Sequence, residues 1–219
     1  MAQLGKFWRS SVGKKIVMGV TGIILIGFVI VHMAGNLQFF VGAERFNGYS
    51  RLLKHDLIEL TWIVRLTLLT AAGLHVSAAY QLTLRNRAAR PDENERRQPQ
   101  VSTYASRTMR WGGVYLLLFI VYHIGHFTTG WFHPAFSETG AYGNVIIGFK
   151  VLPVALFYLG AMAFLSLHLY HGAWACFRTL GLARPSAEPL QRRLSLVIAV
   201  VVSVGFSLLP LSVALGVVH

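Results

Sequence analysis

Cysteine is almost missing from this chain: Cys176 stands alone among 219 residues. One thiol excludes an internal disulfide, a CxxC redox pair and a CxxCH attachment site. Acid is scarce as well, with 8 Asp and Glu against 20 Lys and Arg and a net charge of +12. Charged residues make up 13% of the sequence and hydrophobic ones 54%. A soluble domain carries roughly 25% charged residues, so that class is excluded. What is present is long apolar sequence. Ile16 to Ala43, Leu66 to Leu84, Trp111 to Ser137, Val151 to Phe177 and Leu194 to His219 contain no charged residue. Each run is close to or above the ~20 residues that cross a bilayer as a helix.

The expected fold is therefore an all-α integral membrane protein, a single domain over residues 1–219. Five transmembrane helices are expected near 16–41, 60–84, 111–132, 150–178 and 194–218, the first four forming a bundle and the fifth packing outside it. The basic start (Lys6, Arg9, Lys14, Lys15) ahead of the first run resembles a signal peptide. The run is too long for one, and no small-residue cleavage site follows. Lysine and arginine placement sets the orientation: fifteen fall on the side of the N-terminus, the 85–110 segment and the 178–193 segment, five on the other. That predicts a cytoplasmic N-terminus and an external C-terminus in a bacterial-type cytoplasmic membrane. The positive charge sits in short loops beside the spans, where anionic lipid accounts for it and nucleic acid is not needed. Residues 85–110 read as a cytoplasmic hairpin loop, 44–58 as an external loop with a short interfacial helix, and 132–149 as an aromatic-rich external loop.

Four of these runs each hold a histidine at membrane depth: His32, His75, His123 and His168. Such residues are costly to place and are functional candidates by default. At ~1.5 Å per helical residue from the nearest cytoplasmic charge, His75 and His168 both lie about 15 Å deep, and His32 and His123 about 25 and 20 Å. Two layers result, His75 with His168 and His32 with His123. Two imidazole pairs at two depths suit the axial ligands of two low-spin haems, held by coordination and packing alone because no CxxCH is present. His126 and His171 each follow a candidate by three residues and share its helix face. By depth His126 matches His32 slightly better than His123 does, and both extra histidines are read as hydrogen-bonding neighbours. His55, His133 and His219 read as surface histidines. FVIVHMAG echoes FIVYHIGH, and GLHVSAAY echoes SLHLYHGAW. Gly27, Gly35, Gly73, Gly125 and Gly172 flank the four candidates, suited either to a porphyrin face or to helix packing. A multi-histidine transporter is the rival from a different class, but the five runs offer no Asp or Glu for proton coupling.

VTGIILIGFVIVHMAGNLQFF, GLHVSAAYQLTLRNRAARP, YASRTMRWGGVYLLLFIVYHIGHF and LHLYHGAWACFRTLGLARP, in that order and spacing, resemble the cytochrome b membrane anchor of succinate:quinone and fumarate:quinol oxidoreductases, in its single-polypeptide, two-haem form. The resemblance covers nearly the whole chain. It implies two haem b groups with axial ligands at His32, His123, His75 and His168. It also implies a flavoprotein and an iron–sulfur subunit on the cytoplasmic face, and menaquinone as the redox partner. The dicarboxylate site would lie in the flavoprotein, since this chain has no substrate-oxidising site of its own. A haem-b subunit of a hydrogenase or formate dehydrogenase is the alternative within the same class.

Quinone and propionate contacts are expected near the spans' ends. Ser10, Ser11 and Lys15 are quinone candidates at the cytoplasmic edge, with Arg107 and Arg110 able to serve quinone or haem propionates. Arg65, ten residues outward of His75, is the candidate for an outer propionate. Glu44 and Glu59 are candidates for exchanging quinone protons with the outside.

Overall fold

The structure is a computed structural model, and it describes residues 2–89 and 104–219. Among the described residues it is mostly helical, with no strand. The elements are α1 (Ala2–Arg9), α2 (Ser11–Leu37), α3 (Ala43–Arg51), α4 (Ile58–Ala88), α5 (Tyr104–Phe127), α6 (Ala141–Lys150), α7 (Leu152–Thr179) and α8 (Glu188–Ala214). Among the described residues four stretches are long and apolar enough to cross a membrane: Ser11–Val41, Ile58–Ala88, Leu152–Thr179 and Pro185–Ala214. The expected third span is not among them. α5 has a similar length, but Arg107, Arg110, His123 and His126 dilute its apolar character.

Local chemistry sets where these helices begin and end. Ser10 accepts the Gly13 N–H at 2.8 Å and so caps α2, a contact that stabilises a helix start by about 1 kcal/mol. This cap moves the start of the first span back to residue 11, and Lys14 lies inside the helix. Its ammonium is buried, donating to the Trp8 carbonyl beside the indole ring. Pro153 and Pro189 occupy first turns, where the missing N–H has no partner to lose. α7 ends on Gly181 at φ +73°, with the Leu182 N–H returning to the Phe177 carbonyl at 2.8 Å.

Two loop expectations are corrected, and a third gains detail. The 85–110 hairpin is helical at both ends, since α4 runs through Ala88 and α5 starts at Tyr104; residues 90–103 lie outside the described residues. The 44–58 segment holds the expected short helix, α3, and continues in a wide helical turn over Leu52–Asp56. The 132–149 loop contains α6. There Val145 and Phe149 are buried with Phe39, Phe46 and Tyr158 in one apolar cluster, so packing makes a helix of a segment whose aromatic and glycine content read as loop.

α2 and α7 form the centre. α4 packs on α2, α5 packs on α7, and α8 packs on both α7 and α2. Helix–helix association in lipid relies on close van der Waals contact at small residues. Ala155 and Ala161 on α7 and Ala199 on α8 are fully buried, and Met33 of α2 fills the space a side chain at Gly205 would take. α3 and α6 close one end of the bundle. At the other, the guanidinium groups of Arg178 and Arg192 lie over the Trp174 ring at 5.0 and 4.4 Å.

Candidate functional site

The four membrane histidines meet in two pairs. The His32 and His123 rings lie 5.9 Å apart between centroids, and those of His75 and His168 lie 6.2 Å apart. The helices that carry each pair are not direct neighbours. Neither α2 with α5 nor α4 with α7 is among the packed helix pairs. The rings thus approach one another, edge-on or tilted, between helices that do not pack closely. Two metal–imidazole bonds of about 2 Å, plus about 1 Å from each nitrogen to its ring centre, put trans ligands of one metal roughly 6 Å apart. Both pairs match that separation. From Met18, which contacts His75, to His32 is fourteen residues of α2, or about 21 Å. The pairs therefore stand at two separate levels of the bundle. Among the described residues no group of three or more His, Cys, Asp or Glu is assembled for a metal ion, so the chemistry available is pairwise.

Each pair has its own surroundings. His75 Nδ1 donates to the Met18 carbonyl at 3.1 Å, with Thr21 Oγ1 also within 3.2 Å. The Thr21 hydroxyl proton is already given to the Val17 carbonyl, so Thr21 too can only accept. That fixes the proton of His75 on Nδ1 and leaves Nε2 with a free lone pair, as a metal ligand requires. His168 Nδ1 is buried without a hydrogen-bond partner. An orphaned ring nitrogen costs about 1–3 kcal/mol, which a further partner would recover.

At the other pair, Phe28 stacks on His32 (5.2 Å, 11°) and Phe119 on His123 (5.6 Å, 27°). Each phenylalanine stands four residues before its histidine, the turn that a helical side chain leans over. The echoed FVIVH and FIVYH thus carry the same local device. Asn36 donates to the His32 carbonyl at 2.8 Å and touches the ring edge. The Tyr158 hydroxyl lies between His123 Nδ1 (3.3 Å) and His126 Nδ1 (3.0 Å).

The remaining predicted residues divide. His126 is fully buried against Phe127 and His133, while the four paired histidines are only partly buried. His133 is not a surface histidine: it is buried, with Nε2 donating to the Asn144 carbonyl at 2.8 Å and Nδ1 accepting from the Ala135 N–H. His171 lies beside Trp174, partly buried, outside the 75/168 pair. Arg65 stacks on Trp62 at 5.0 Å; Arg107 and Arg110 are exposed in the first turns of α5. The Ser10 hydroxyl is committed to the α2 cap, donating to the Phe7 carbonyl, and Ser11 accepts from Arg85 at 3.3 Å. Lys15, Glu44 and Glu59 are exposed, the two acids in first turns, where they favour the helix dipole.

The flanking glycines also divide. A side chain at Gly35 would strike Tyr49 and one at Gly125 would strike Phe132, so both serve packing. At Gly27, Gly73 and Gly172 it would meet nothing within 4 Å.

Sequence reasoning missed Tyr158, Asn36, Thr21 and Phe206. Phe206 of α8 stands 5.5 Å from the His32 ring, so the fifth long helix helps to wall this pair and does not simply pack outside the four. Spacing holds no signal for such lateral neighbours. Compared with protein-family models, curated proteins and solved structures, the chain matches none of them.

Proposed function

We propose that this chain is the membrane anchor and electron-transfer subunit of a succinate:quinone oxidoreductase, holding two haem b groups, one between His32 and His123 and one between His75 and His168. The observation that carries this is the two pairs of imidazoles, 5.9 and 6.2 Å apart between ring centroids, each brought together from helices that do not pack closely on each other. When bound, bis-imidazole haems pass single electrons and offer no open position for oxygen or substrate. The chain's own residues hold and orient. Met18 and Thr21 fix the His75 tautomer, while Phe28, Phe119 and Phe206 wall the His32/His123 pair against water and lipid. The single cysteine and the absence of Asp and Glu from the apolar runs support electron passage over redox-disulfide or proton-coupled transport.

In this proposal α5 is the third of five crossings and the N-terminus is cytoplasmic. The exposed Arg107, Arg110 and Lys15 face the flavoprotein and iron–sulfur subunits, and the exchanged substrate is a quinone, menaquinone by the family resemblance. The test is haem stoichiometry by reduced-minus-oxidised and haemochrome spectra on single and double variants. Wild type should bind two haems per chain; His75→Ala and His168→Ala each one; the double variant of that pair still one. His75→Ala with His123→Ala should bind none. A wild-type chain without haem refutes the proposal and leaves the transporter. A 75/168 double variant with no haem refutes the pairing.

A further inference from the structure

We propose that His126 is a positioning residue for His123, acting through Tyr158. By taking the one Tyr158 proton, it makes Tyr158 an acceptor for His123 Nδ1–H and leaves His123 Nε2 unprotonated toward His32. This rests on the haem proposal above.

A tyrosine hydroxyl has one proton and two lone pairs. With His123 Nδ1 at 3.3 Å and His126 Nδ1 at 3.0 Å, only two arrangements satisfy both contacts. If Tyr158 donates to His123, that ring carries its proton on Nε2 and has no lone pair for a metal. If Tyr158 donates to His126, it accepts from His123 Nδ1–H, and His123 becomes a competent ligand. The shorter contact is the one to His126.

His126 is built for this and for nothing else nearby. Its ring is fully buried, 4.1 Å from Phe127 and 5.0 Å from His133 between centroids, with Gly148 against its far edge. These neighbours hold the ring in place. Both His133 nitrogens are engaged, to the Ala135 N–H and the Asn144 carbonyl, so His133 stacks on His126 without exchanging a hydrogen bond. Tyr158 is the hydrogen-bond partner of the His126 ring, and its other ring nitrogen is buried without one. At the opposite pair a backbone acceptor, the Met18 carbonyl, fixes the His75 tautomer. At this pair a Tyr–His relay does the same with side chains.

The test uses the full-length chain with any co-purifying subunits, reading haem content and, for each haem, the oxidised low-spin EPR signal and midpoint potential. Tyr158→Phe removes the acceptor without misdirecting a proton, so the His32/His123 haem stays bound and shifts to more positive potential. His126→Leu frees the Tyr158 proton to turn on His123, so that haem is largely lost while the other stays. His126→Asn, with a carbonyl where Nδ1 stood, restores it. The discriminating variant is His126→Leu with Tyr158→Phe. Deleting the hydroxyl should return binding to the Tyr158→Phe level. A double variant as poor as His126→Leu, or a His126→Leu chain that keeps the His32/His123 haem at the wild-type level, overturns the relay while two haems in wild type leave the functional proposal standing. No haem in wild type overturns both.

Discussion

Two alanine substitutions in the same short helix should act with opposite signs. In α6, an alanine methyl at Gly148 would lie 2.8 and 2.9 Å from the His126 ring, against an ordinary contact of 3.4 Å or more. The ring must retreat by about 0.6 Å, and it is fully buried. Such a retreat presses the ring on Tyr158 or turns it aside, and either spoils the geometry of the 3.0 Å Tyr158–His126 hydrogen bond. Overpacking costs about 1–3 kcal/mol and the lost hydrogen bond about 1, while replacing a helical glycine recovers nearly 1. The balance is a loss of about 1–3 kcal/mol, a fall in Tm of roughly 3–10 °C for a chain of this length. At Gly143 a methyl would meet nothing within 4 Å, so only the helix-propensity gain of about 1 kcal/mol remains, and Tm should rise by a few degrees. Thermal unfolding of both variants in one detergent decides. Equal signs would show that the His126 ring is not wedged between Gly148 and Tyr158.

Phe206→Ala removes an aromatic contact to His32 worth about 1 kcal/mol, so affinity for the haem at that pair should fall about five-fold in a titration, with the 75/168 pair unaffected. Equal losses at both pairs would refute a local role. Burial holds the Lys54 ammonium below the ordinary lysine value of 10.5, with Glu138 opposing and Arg65 adding to the lowering. Across the alkaline window just below 10.5 the unfolded chain binds the proton that the folded chain has lost, so stability should rise with pH there. Lys54→Met should flatten that rise in a pH series of unfolding curves; an unchanged slope would assign it elsewhere. A reporter fused after His219 should be external and one inserted within 90–103 cytoplasmic. A cytoplasmic C-terminus would mean that α5 does not cross.

The sequence alone pointed to a helical membrane protein and ordered its histidines along the helix axes. Charge-free runs report helices of membrane length, and counting residues at a fixed rise gives depth, a coordinate that runs along the chain. For that reason His75 was matched with His168, and His32 with His123, before any lateral position was known. Depth could not separate His123 from His126, three residues apart. Direction around the helix does: His126 turns into the cluster with Phe127, His133 and Gly148, and His123 turns to His32. Tertiary structure likewise decided that 141–150 is a helix, that His133 is buried, that Tyr158 bridges two histidines and that Phe206 reaches His32. These depend on which helices lie side by side. In an apolar chain that is set by close fit at small residues such as Ala155, Ala199 and Gly205, and no periodicity along the sequence encodes such fit.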